Sequence, residues 1–123
     1  MANYNGPKYH SDTYRSIEIS YHARLRASQR LGTEKIQEIQ KLAYAARTKG
    51  IKVWLLGDKN KEQNKNRNRN QMLDEETYHL LKNKLRINGY NKHTPYYYKD
   101  NIYLFHGKHV LITIIPLEVL KTQ

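Results

Sequence analysis

The sequence predicts a single α+β domain, two to three helices packed on a C-terminal antiparallel β-meander. Three observations lead there. Apolar residues recur at helical spacing in the first ninety positions. The last third breaks into short β-rich runs separated by turn residues. A chain of 123 residues has room for one core. Helices gathered ahead of a meander also lack the alternating order that a parallel sheet requires.

The elements follow in chain order. Residues 1–13 mix Asn, Gly, Pro, Ser and Asp and read as a flexible arm, so the domain proper spans 14–123. Tyr14 to Ile19 alternates as a short strand. Ser20 is placed to cap a helix running to Leu31, with Gly32 at the left-handed C-terminal position. Thr33 then caps a second helix, with Glu34 in its first turn and Gly50 beyond its end. Its stripe is Ile36, Ile39, Leu42, Ala43 and Ala46. Ile51 to Leu56 is a short apolar run, strand or packed connector. Gly57 to Gln71 holds five Asn and five cations and no apolar residue, which predicts a mobile loop at 57–71. Asp74 caps a third helix to Ile87, with Tyr78, Leu81 and Leu85 inward and Gly89 closing it. Tyr96 to Lys99, a turn at Asp100-Asn101, and Ile102 to Phe105 form a hairpin. His106-Gly107-Lys108 turns into His109 to Ile115, the most apolar strand and so expected at the centre, which Pro116 ends.

Composition narrows the partner. Lys and Arg number 22 against 11 Asp and Glu, a net charge of +11 with His neutral. Mean hydropathy is −0.93. So strong a positive field attracts polyanions, nucleic acid above all. The aromatics are eleven Tyr, one Trp and one Phe. Tyrosine rings among cations are the composition of a surface that stacks bases and holds phosphates, although rings at the rim of a small core give the same count. With no Cys there is no disulfide, thiolate nucleophile or Cys-based zinc site. No stretch nears the ~20 apolar residues of a membrane span, and the N-terminus lacks the apolar centre of a signal peptide, which predicts a cytoplasmic protein without membrane partners.

The chemistry-bearing constellation lies on the first helix, where His22, Arg26 and Arg30 recur at i, i+4 and i+8 and share one face. No acidic residue within that helix neutralises the two guanidiniums, and a phosphate between them would. The alternatives are a solvated basic face or ion pairs with acids elsewhere, such as Glu34 or Asp74. Cleavage of RNA needs no metal, because the 2′-hydroxyl is the nucleophile; a base, an acid and positive charge suffice. His22 and His106 are the candidate catalytic residues, the latter placed at a turn from which it can reach a cleft. Arg24, Arg26, Gln29, Arg30, Tyr103 and Thr113 are the candidate nucleic-acid contacts within the domain. Lys59, Lys61, Lys65, Arg67 and Arg69 are the candidates in the loop. No metal or cofactor is expected, since carboxylates and His do not cluster.

The stretch His22-Ala23-x-x-Arg26-x-x-x-Arg30 with its glycine, the Ile/Ala-rich helix ending at Gly50, and the late strand carrying Leu111-Ile112-Thr113-Ile114 resemble a group of small phage and mobile-element proteins. These in turn look like distant relatives of the RelE, colicin and barnase-type ribonuclease superfamily. The resemblance covers roughly residues 14–117. It implies a RelE/barnase-like arrangement with His22, Arg26 and Arg30 on the functional face, joined by Thr113.

The leading expectation is a nucleic-acid-binding protein that favours RNA, with metal-independent endoribonuclease activity as an open second step. The alternative is a phage-borne, anti-CRISPR-like inhibitor that blocks a host nucleoprotein complex. An active ribonuclease would call for a neutralising acidic partner protein.

Overall fold

The computed structural model describes residues 13–53 and 73–123. The fold is α+β: a mixed five-stranded sheet with helices on both of its faces. Its strands are β1 (Glu18–Ile19), β2 (Ile51–Lys52), β3 (Thr94–Tyr98), β4 (Asn101–His106) and β5 (Val110–Pro116), in the spatial order β1-β5-β4-β3-β2. Among the described strands only the β1–β5 pair is parallel. Helices α1 (Tyr21–Leu31) and α2 (Ile36–Lys49) carry the chain across one face, from the β1 edge to the β2 edge. Helices α3 (Glu75–Ile87) and α4 (Leu117–Lys121) cover part of the other.

Two cores follow from this layering. Ala23 and Ala27 of α1 and Ile39, Ala43 and Ala46 of α2 pack on Tyr96, Tyr98, Tyr103, Phe105, Leu111 and Ile114. The alanines let both helices lie close to the aromatic face of the sheet. On the opposite face Tyr78, Leu81 and Leu85 of α3 and Leu117 and Leu120 of α4 meet Ile51, Val53, Tyr97, Ile102 and Ile115.

Local rules place several ends as the sequence predicts. The Ser20 hydroxyl accepts from the Ala23 amide, and Gly32 closes α1 at φ 72°. Asp74 caps α3 by accepting from the Thr77 amide, which holds its carboxyl below the ordinary value. Others differ. Tyr14–Ser16 is a 3-10 turn, and only Glu18–Ile19 pairs as strand, because Ser20 turns the chain into α1 directly afterwards. Helix α2 starts two residues later than Thr33 suggests, with Lys35 at the cap and Glu38 in the first turn. The Thr33 hydroxyl donates to the Glu38 carboxylate instead. The β3–β4 turn centres on Lys99 and Asp100, both at positive φ, one residue earlier than expected. Strand β5 is interior, but β4 occupies the middle position, since the short β1 lies outside β5. The fourth helix after Pro116 was not foreseen. Residues 1–12 and 54–72, which include the expected arm and the 57–71 loop, lie outside the described residues.

Candidate nucleic-acid interface

Helix α1 sits over the outer edge of β5, and its attachment is polar as well as apolar. The Ser20 hydroxyl donates to the Ile112 carbonyl at 2.9 Å, and the Arg30 guanidinium donates to the Ile114 carbonyl. Both carbonyls belong to the part of β5 that runs past its β1 partner. With Ala23 and Ala27 turned to the core, the helical spacing turns His22, Arg26 and Arg30 together toward the second face of the sheet.

There they border a cleft of about 140 Å³, lined also by Asn88 and Tyr90 from the α3–β3 connection, Thr113 and Ile115 of β5, and Val119, Leu120 and Gln123 at the C-terminal end. Among the described residues no Asp or Glu side chain lines it. Arg26 is the hub of the polar contacts: its Nη1 donates to the Gln29 side-chain oxygen at 2.9 Å, and its Nε faces His22 Nε2 at 3.4 Å. His22 is exposed and Arg26 half-buried. Partial burial first, and then the neighbouring charge of Arg26, hold Arg30 below its ordinary pKa. Two cations one turn apart, one of them partly desolvated and with no acid beside them, make a site that gains from an anionic guest. Tyr90, Thr113 and Asn88 add hydroxyl and amide groups to the wall.

The expected residues separate accordingly. His22, Arg26, Arg30 and Thr113 line the cleft, and Gln29 props Arg26 from outside it. Arg24 is exposed half a helical turn away and does not line the cleft. Tyr103 is 2% exposed inside the first core, where burial and then Tyr98 raise its phenol to about 12, so it is a packing residue and not a contact. His106 ends β4, exposed, with its ring against His93, and is absent from the cleft lining. The loop candidates Lys59, Lys61, Lys65, Arg67 and Arg69 lie outside the described residues. Among the described residues no group of three or more metal-ligating side chains occurs, and no helix is long and apolar enough to cross a membrane.

The lining residues the sequence does not point to are Asn88, Tyr90, Ile115, Val119, Leu120 and Gln123. Only the Gly89 turn hints at the first two, as an irregular connection that can hold a Tyr against a neighbour. No family model, no curated protein and no solved structure matches this chain.

Proposed function

We propose that this protein binds nucleic acid, RNA in preference to DNA, by seating a backbone phosphate in the cleft between α1 and β5. The observation that carries the reading is the convergence of His22, Arg26 and Arg30 on one small cleft that no Asp or Glu side chain borders among the described residues. A net charge of +11 supplies long-range attraction to the strand. The Thr113, Tyr90 and Asn88 side chains on the wall suit a ribose hydroxyl, which favours RNA.

Binding of labelled RNA and of single- and double-stranded DNA across a salt series tests it. Arg26→Ala is expected to weaken RNA binding and to lower the salt slope by about one phosphate contact. RNA binding that is salt-independent, or unchanged by Arg26→Ala, overturns the assignment. Binding to a host nucleoprotein with none to naked nucleic acid would favour the inhibitor reading.

One observation favours a second, catalytic step on the same site. The His22 imidazole stands on the cleft wall with its Nε2 3.4 Å from the Arg26 Nε, so a phosphate that draws Arg26 onto its own oxygens frees that nitrogen to accept a proton. In that step His22 accepts the proton of the 2′-hydroxyl, the freed oxygen bonds to phosphorus, and the P–O5′ bond breaks. The departing oxygen takes a proton from Tyr90 or water, while Arg26 and Arg30 hold the phosphate oxygens. His106 has no part in it, since it lies outside the cleft. Cleavage in EDTA, lost in His22→Ala with RNA affinity kept within a few-fold, is the expected result if the step occurs.

A further inference from the structure

Three rings stand in a row between the cleft and the β4–β5 turn. Tyr90, on the cleft wall, meets His93 edge to face with centroids 6.2 Å apart. His93 meets His106 with centroids 5.6 Å apart and planes inclined by 56°. Tyr90 and His93 are half-buried and His106 is exposed, and the Nδ1 edge of His93 is turned inward. The row joins segments distant in sequence, the α3–β3 connection and the far end of β4, and both lie on the α3 side of the sheet.

The surroundings are positive. Lys92 and Lys108, both exposed, adjoin His93 and follow His106 in sequence. No acidic residue occurs in 88–99 or in 101–117, the two stretches that build the row and its neighbourhood. The turn that follows His106 is also pinned, because the buried Arg47 donates to the Lys108 carbonyl.

We propose that Tyr90, His93 and His106 form a base-stacking strip that extends the phosphate cleft and selects single-stranded RNA. The inference rests on the cleft's being a phosphate site. A strand with one phosphate on Arg26 and Arg30 lays its following bases along the rings, and Lys92 and Lys108 face its next phosphates. Stacking on aromatic rings tolerates any base, so the strip confers strand type and length preference and not sequence preference. The ring planes turn by 80° from Tyr90 to His93 and by 56° from His93 to His106, so bases resting on successive rings cannot stay parallel as they do in a duplex strand. The bases must therefore turn apart, as a single strand permits and a duplex does not.

The test compares a diadenosine RNA, long enough for the cleft alone, with a hexamer that spans the strip, each carrying 2-aminopurine and titrated at fixed salt. His106 is the residue to vary because it is exposed and outside the cleft. His106→Ala is expected to weaken the hexamer about 10-fold and to relieve its fluorescence quenching, while leaving the dinucleotide unchanged. His106→Trp should restore both affinity and quenching; His106→Lys, which keeps a charge without a ring, should not restore quenching. Wild-type hexamer affinity in His106→Ala, with Arg26→Ala still weak, overturns the strip and leaves the phosphate cleft standing. Equal affinity for a duplex hexamer overturns the strip as well. If Arg26→Ala changes neither ligand, the cleft reading falls and the strip with it.

Discussion

The guanidinium of Arg30 on α1 donates to the backbone carbonyl of Ile114 on β5. This side chain therefore lines the candidate phosphate cleft and also closes the sheet edge that β1 leaves uncovered. Arg26, one turn earlier, contacts only His22 and Gln29 among its hydrogen-bond partners described above. The two arginines should then separate in solution. Arg30→Ala leaves a partly buried carbonyl without its donor and is expected to cost about 1–3 kcal/mol of stability together with RNA affinity. Arg26→Ala should reduce affinity while stability stays within about 0.5 kcal/mol. Urea unfolding of both variants, beside their RNA titrations, checks the division.

Ser20 holds the other uncovered carbonyl while it caps α1. Its hydroxyl accepts from the Ala23 amide and donates to the Ile112 carbonyl. Ser20→Ala removes both bonds and should destabilise the protein by about 2 kcal/mol, whereas Ser20→Thr should retain most of the stability. Chemical denaturation of the pair measures the difference. Equal loss in both variants would rule out the hydroxyl as the cause.

Gly50 is required for space and not for backbone freedom. Its φ is −78°, ordinary for any residue, but an added Cβ would press on the Ala46 carbonyl oxygen and lie 2.7 Å from that of Tyr97. Both obstacles are backbone, and β2 pairs with β3 at Ile51 and Tyr97 directly afterwards. Gly50→Ala is therefore expected to cost about 3 kcal/mol, by displacing α2 from the sheet edge. Gly32, at φ 72° with open space around the added atom, should cost only about 1 kcal/mol when changed to Ala. Thermal melts of the two variants should rank in that order.

Tyr103 predicts an alkaline limit. Its phenol is raised from an ordinary value of 10.0 to about 12, first by burial and then by Tyr98. In the interval between those values the unfolded chain loses the proton while the folded one keeps it, so stability falls as pH rises. The contribution is fully present below about pH 10 and is lost through about pH 12. Tyr103→Phe should flatten this part of the stability profile, read by denaturant midpoints from pH 9 to 12. An unchanged slope would place the alkaline sensitivity on other groups.

Much of the framework was legible from local chemistry. Ser20, Gly32, Asp74 and Gly89 act on neighbours within a few residues, so their roles at helix ends can be read from spacing alone. The i, i+4, i+8 spacing likewise places His22, Arg26 and Arg30 on one face of any helix that includes them. Thr33 misled because a hydroxyl has several partners within reach, and it donates to Glu38 instead of capping. Tyr103 misled because a strand's alternation says which residues share a face but not which face is covered. Here α1 and α2 cover it, and the ring is core.

The sequence by itself determined an α+β chain, the starts of α1 and α3, its C-terminal meander, its strong positive charge and the common face of three site residues. Those properties depend on interactions between near neighbours or on simple counting. Only the tertiary structure decided that β1 and β2 flank the meander as edges, that helices cover both faces, and that α4 and the Asn88–Tyr90 segment wall the cleft. It also separated His106 from His22 and set it beside His93. Such contacts join residues dozens of positions apart. They arise from the mutual burial of apolar faces, a non-directional force that acts through the assembled chain and leaves no local spacing to read.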